Sequence, residues 1–206
     1  FTPQLAELRV PCLLLTNSAA TLNIPNLSSV SVDDVSASSL MIEYLYAQGH
    51  RKIGLIGGKP DQSRPSLSRL TGSQSAMFRL GLPFEMEKQY AYARFSLQSG
   101  YTAMEYLLKH CPDITAVFAM SDLMALGAIR ALNDHGLRVP QDIRLASLYD
   151  DEALQGCTPQ ITAVSFDAEQ LGRRTAQQLL SLIRHQPVET RTLLGYQVGL
   201  RLSTQT

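Results

Sequence analysis

The chain has 206 residues, and its 18 basic and 18 acidic side chains cancel at pH 7. That balance excludes a nucleic-acid surface built on net positive charge, and with only 17% of residues charged there is no acidic or basic tail. A 45% hydrophobic content suits a globular protein with a sizeable core; no apolar run reaches the roughly 18 residues of a membrane span, and Phe1-Thr2-Pro3-Gln4 lacks the basic-then-apolar pattern of a leader.

Residues 10–15 (VPCLLL) read as a buried strand, with Cys12 as a small core hydrophobe, and 29–32 (SVSV) as a short alternating one. Residues 34–48 place Val35, Leu40, Met41, Tyr44 and Leu45 near one helical face and stop at Gly49. A strand at 52–56 (KIGLI) ends in Gly57-Gly58, and the helical pattern of 67–80 stops at Gly81. Residues 89–95 (QYAYARF) alternate as a strand, and 97–110 carry Tyr101, Met104, Leu107 and Leu108 on a helix. A strand at 115–120 (TAVFAM) leads into a helix at 121–135, opened by Ser121 or Asp122 and closed at Gly136. Strands at 143–148, 161–166 and 193–202 and a helix at 167–184 complete the set, with polar loops at 18–28 and 59–65. Polar residues at helix starts and glycine just past the ends are the expected punctuation. Continuous apolar runs imply strands covered on both faces, and strand–helix alternation implies right-handed βαβ units in an open, doubly wound parallel sheet.

Cys12, Cys111 and Cys157 are far apart and form no C-x-x-C, which argues against a zinc or redox site. Three unpaired thiols favour a reducing compartment such as the cytoplasm. P-loop, G-x-G-x-x-G, G-x-S-x-G and H-E-x-x-H signatures are missing. His50, His110, His135 and His185 all fall at expected helix ends, where a cation meets the negative end of the dipole. The chain therefore reads as a non-enzyme without cofactor or metal.

Ligands of an open parallel sheet bind beyond the carboxyl ends of its strands. The residues there are Thr16, Asn17 and Ser18; Gly57 and Gly58, with Arg69 further on; Phe95 and Ser96; Ser121 and Asp122; and Tyr149, Asp150 and Asp151. Carboxylates and arginine hold hydroxyls by paired hydrogen bonds while an aromatic face covers an apolar side, so the set suits a small polyhydroxylated or heterocyclic ligand. Structural roles compete. Asp122 reads as a helix cap, one of Asp150 and Asp151 as the cap of the next turn, Arg69 as a solvated helical residue, Phe95 as core and Gly57-Gly58 as a tight turn.

Residues 49–58 (GHRKIGLIGG) resemble the "GHrrIa.i.g" signature of the LacI/GalR family of regulators. Residues 115–128 (TAVFAMSDLMALGA) are similar to its "TAvfa.nD.mAlGa" block, and 136–143 (GLRVPQDI) to "G.rVPeDi". Val30-Ser31-Val32-Asp33-Asp34 resembles the family's first crossing segment and Arg201-Leu202-Ser203-Thr204 its C-terminal end, so the resemblance runs over essentially the whole chain. It implies an α/β, periplasmic-binding-protein-like fold: two doubly wound parallel-sheet subdomains joined by crossing strands that act as hinges. The divisions expected are 1–32 plus 164–193, an incomplete N-terminal subdomain with an exposed sheet edge, and 33–163 plus 194–206.

The resemblance also implies an effector-sensing, homodimeric part of a transcriptional repressor. A sugar-like or nucleoside-like ligand would lie between the subdomains, and operator DNA would be bound by an upstream helix-turn-helix. A periplasmic sugar-binding protein of a transporter is the alternative. Carried over residue by residue, Asp150 matches the carboxylate that accepts effector donors and Arg69 the pocket arginine. Ser121 stands where Asn is usual, Phe95 at an aromatic site, Thr16 after an N-terminal strand and Phe166 and Asp167 at the last crossing, with Tyr149 beside Asp150. Residues 144–149 (RLASLY) depart from the usual "isvvGfd", and Ser121 has a shorter reach than Asn. For the dimer, Leu123, Met124, Leu126, Ile129 and Leu132 cover more than one helical face, and Leu154 and Cys157 are expected at the surface.

Overall fold

The computed structural model describes residues 4–5, 7–16, 24 and 27–205. Asn17, Ser18 and most of the 18–28 loop lie outside the described residues. In chain order the elements are β1 (Leu13–Leu15), β2 (Ser28–Val32), α1 (Asp34–Ala47), β3 (Ile53–Gly57), α2 (Arg64–Arg79), α3 (Met86–Gln89), β4 (Tyr90–Tyr92) and α4 (Leu97–His110). They continue with β5 (Ala116–Ala119), α5 (Asp122–Asp134), β6 (Arg144–Leu148), α6 (Glu152–Gly156), β7 (Thr162–Ser165), α7 (Ala168–Ile183), β8 (Arg191–Leu194) and β9 (Gln197–Gly199). The chain divides into two compact units, Phe1–Asp33 with Phe166–Tyr196 and Asp34–Ser165 with Gln197–Thr206, so it passes between them three times.

The first unit holds a three-stranded parallel sheet in the order β1-β2-β8, with α7 packed on β1 and β2. Asp167 caps α7 by accepting from Gln170 N–H at 2.8 Å. Leu171 of this helix is buried, whereas Leu180, Ile183 and the strand residues Leu15 and Leu193 are exposed. The strand expected at 10–15 shrinks to its last three residues, and Cys12 is half-buried, not a core residue.

The second unit holds a six-stranded sheet, β4-β3-β5-β6-β7-β9, parallel except for the last pair. Phe118, Leu55, Ile56, Met41 and Ile42 are fully buried at its centre. Its helices pack as two pairs, α1 with α2 and α4 with α5. Each pair meets backbone to backbone at glycine. A Cβ on Gly72 would lie 2.1 Å from Val35 O, and one on Gly127 only 2.0 Å from Leu97 O. This contact corrects the dimer argument from sequence: α4 and the sheet cover Met124, Ile129 and Leu132, and Leu154 of α6 is fully buried. Leu123, 45% exposed, is the large apolar residue that α5 presents outward.

Two further expectations fail. The apolar stretch 193–202 is not one strand but two, β8 in the first unit and β9 in the second, broken at Gly195-Tyr196 where the chain passes between units. The alternating 89–95 segment forms a strand only over Tyr90–Tyr92: Gln89 closes α3 and donates its side-chain amide to Ile53 O, and at the other end Phe95 has a left-handed backbone that is not extended.

Candidate functional site

Parallel strands deliver their carboxyl ends to one edge of the sheet, and in the second unit β3, β5 and β6 bring a connected cluster there. Arg69 is fixed by α2, which starts at N-cap Ser63 with Pro65 in its first turn. It is 4% exposed, not a solvated surface residue. Its Nε donates to Asp34 Oδ1 at 3.1 Å, its Nη1 to the Met120 carbonyl at 2.8 Å, and its Nη2 to the Tyr149 hydroxyl. The guanidinium carbon lies 4.7 Å from the centre of the Tyr149 ring and 5.9 Å from that of Phe95, within cation–π range. A buried arginine needs such a set of partners, since an unpaired charge in the interior costs several kcal/mol. Burial pushes the Tyr149 phenol above its ordinary pKa, so it stays neutral.

Gly57 and Gly58 serve close approach. A Cβ on Gly57 would lie 2.3 Å from the Tyr90 hydroxyl, and one on Gly58 2.4 Å from Ser66 Oγ and 2.8 Å from the Phe95 ring. Tyr90 donates to the Gly58 carbonyl at 2.6 Å. Phe95 is 38% exposed, so it is not core. Phe95 (φ +50°) and Tyr149 (φ +71°) both adopt the left-handed backbone that side chains with a Cβ avoid. Such strain costs about 1–3 kcal/mol per residue and clusters at ligand sites.

The other expected residues sit differently. Asp150 does not contribute a free carboxylate: Arg201 Nη1 and Nη2 donate to its two oxygens at 2.8 and 2.5 Å, and Arg201 Nη1 also donates to the Ile161 carbonyl. Asp151 is the cap of α6. Ser121, 4% exposed, caps α5 by accepting from Met124 N–H at 3.3 Å, while the Asp122 carboxylate accepts from Leu123 N–H. Thr16, Phe166 and Asp167 belong to the first unit. Thr16 is exposed with φ +63° and donates its N–H to Val30 O; Phe166 is half-buried; Asp167 caps α7. The sequence reading missed Asp34 and Tyr90. Asp34 stands 35 positions before the arginine it holds, and no local spacing announces that pair. Among the described residues, no group of three or more His, Cys, Asp or Glu could hold a metal ion.

Residues 42–204 match the model of the periplasmic-binding-protein-like domain family. The chain belongs to that family. This periplasmic-binding-protein-like domain is 32% identical over 197 residues to the HTH-type transcriptional repressor CytR of Escherichia coli (strain K12), covering 95% of the chain and 56% of the relative. The fold is similar to that of a CelR–cellobiose complex, with a TM-score of 0.84 and 29% identity over 98% of this chain and 68% of that one. It is also similar to a lac repressor dimer bound to operator and an anti-inducer, with a TM-score of 0.85 and 30% identity over 96% of this chain and 58% of that one. These are regulators of the LacI type, as the motifs implied. The chain spans about half the length of the curated relatives it matches.

Proposed function

We propose that this chain is the effector-sensing part of a LacI/GalR-type repressor, not an enzyme, and that it works in the cytoplasm as a homodimer. The observation that carries the reading is the cluster at the strand ends of the second unit, where a buried arginine and two aromatic residues with left-handed backbone converge. Its ligand is a small sugar-like or nucleoside-like molecule, received at the carboxyl ends of the strands. Tyr149 and Phe95 offer it ring surface at the strand ends of the second unit, with Arg69 buried against them. Ligand binding shifts a conformational equilibrium, and the shift reaches operator DNA through a helix-turn-helix in the whole protein. Relatives that are DNA-binding repressors favour this reading over a transporter's binding protein. Operator affinity of the full gene product, measured by fluorescence anisotropy with and without sugars and nucleosides, tests it. An affinity that responds to one of these ligands is expected; a product that binds no DNA overturns it.

A further inference from the structure

The three strands of the first unit also have amino ends, and a groove of about 920 Å³ opens there, a volume within the range of small-molecule sites. Cys12 stands just before β1, Ser28 starts β2 and Thr190 precedes β8, so the groove runs past the starts of all three strands, while Leu182 and His185 bring the end of α7 to it. Much of its wall is aliphatic. Leu8 and Val10 line it while 49% and 64% exposed, a neighbouring pair of large apolar side chains left facing water. Its polar side chains are donors. Arg9 and His185 are both exposed and make no side-chain hydrogen bond or ion pair among the described residues, and the Ser28 hydroxyl is buried without a partner. No aspartate or glutamate lines the groove among the described residues. Glu7 and Glu189 lie outside the lining, and Glu189 Oε2 accepts from Thr192 Oγ1 at 2.7 Å. The carbonyls of Leu180, Ser181 and Leu182 near the end of α7 accept from the N–H groups of Arg184, Gln186 and His185, so they are not open acceptors.

We propose that this groove is a second binding site, for a long-chain carboxylate: its aliphatic tail lies on Leu8, Val10 and Leu182, and its head is received by Arg9 and His185. The charge of the lining carries the argument. An aliphatic surface that offers unpaired donors and no acid is complementary to an anionic amphiphile, whose tail leaves water while its carboxylate accepts charge-assisted hydrogen bonds. A cationic amphiphile of the same length meets Arg9 with the wrong sign. A short carboxylate gains the ion pair alone, which at an exposed arginine is worth little. The site is independent of the effector reading, which concerns the carboxyl ends of strands in the second unit.

The test is calorimetric titration of the full gene product, below micelle-forming concentrations, with dodecanoate, decanoate, dodecyltrimethylammonium and acetate. Dodecanoate should bind one per chain, at least about tenfold tighter than the ammonium of equal tail length, and acetate should not bind at millimolar concentration. A buried CH₂ tightens binding about fourfold, so decanoate, shorter by two in an open groove, should bind roughly three- to tenfold more weakly than dodecanoate. Two variants change exposed lining residues, so folding is retained and circular dichroism checks it. Arg9→Glu should weaken dodecanoate about five- to tenfold, and the loss should shrink in molar salt, which screens the exposed charge. Val10→Glu, which sets a carboxylate against the tail, should weaken it about tenfold or more. Equal binding of the cationic amphiphile, many dodecanoates per chain, or unchanged affinity in both folded variants overturns the proposal. So does a full gene product that binds no dodecanoate at millimolar concentration, because its groove is then filled by other parts of the protein. None of these outcomes bears on the repressor reading, which stands or falls on operator binding.

Discussion

Asp150→Ala separates a structural from a ligand-contacting role for the carboxylate that the family resemblance implies as the effector acceptor. The Asp150 and Arg201 side chains are 10% and 16% exposed, and two short charge-assisted bonds join them. Removing one partner of a buried pair costs about 3–5 kcal/mol because the other charge is stranded. Arg201 keeps the Ile161 carbonyl and a thin edge open to water, which places the loss at about 3 kcal/mol, the low end of that range. For a chain of this size that lowers the melting temperature by roughly 6–12 °C. A double-mutant cycle with Arg201→Ala should return a coupling of roughly 1–3 kcal/mol, since both single changes break the same contact. Melting followed by far-UV circular dichroism reads all four proteins. An Asp150→Ala chain that melts within about 1 °C of the parent but loses ligand affinity tenfold would refute the reasoning and restore Asp150 as a ligand contact.

Gly127→Ala forces a methyl group to within 2.0 Å of Leu97 O, so calorimetry should show a loss of about 1–3 kcal/mol or more as α4 and α5 part; unchanged stability means the pair is not in backbone contact. His50 is buried, bonded through Nδ1 to Thr115 Oγ1 at 2.9 Å, and its pKa is lowered first by burial and then by Arg144 and Arg51. The unfolded chain then takes up this proton first as pH falls, so stability should drop from about pH 6.5 down through the lower folded pKa and be constant above it for this group. Melts between pH 8 and 5 check this, and His50→Gln should lose that part of the slope. For assembly, sedimentation of the full gene product at micromolar concentration should show a dimer; a monomer independent of concentration rejects the two-fold arrangement.

Much of the second unit is legible in the sequence because its strands are short apolar runs and its helices carry caps. Ser121 stands at the start of α5 and, in the first unit, Asp167 at the start of α7, and each accepts a backbone N–H there. The site was legible only in part. That Arg69, Phe95 and Tyr149 follow strands can be read from position, but their mutual approach depends on Asp34 and Met120, 35 and 51 positions from Arg69. Adjacent acids at 150 and 151 look interchangeable, and what separates them is Arg201, 51 residues downstream of Asp150. Left-handed backbone at Phe95 and Tyr149 leaves no mark in hydropathy, because aromatic residues rarely take it. Nor does hydropathy reveal that residues 191–199 serve two different sheets.

The last passage between units also sets the timing of folding. Residues 197–205 complete the second unit: β9 covers the outer edge of β7, Arg201 closes on Asp150, and Ser203 accepts from Thr162 N–H and donates to the Leu145 carbonyl. On a ribosome, residues 34–165 emerge before residues 197–205 and must wait for an intervening segment that itself builds the other unit. Until that segment has been made, β7 is an open strand edge of the kind that pairs with a neighbouring chain. Nascent chains stalled before residue 197 should therefore hold a nearly finished second unit that recruits chaperones, and those extended past 205 should release them.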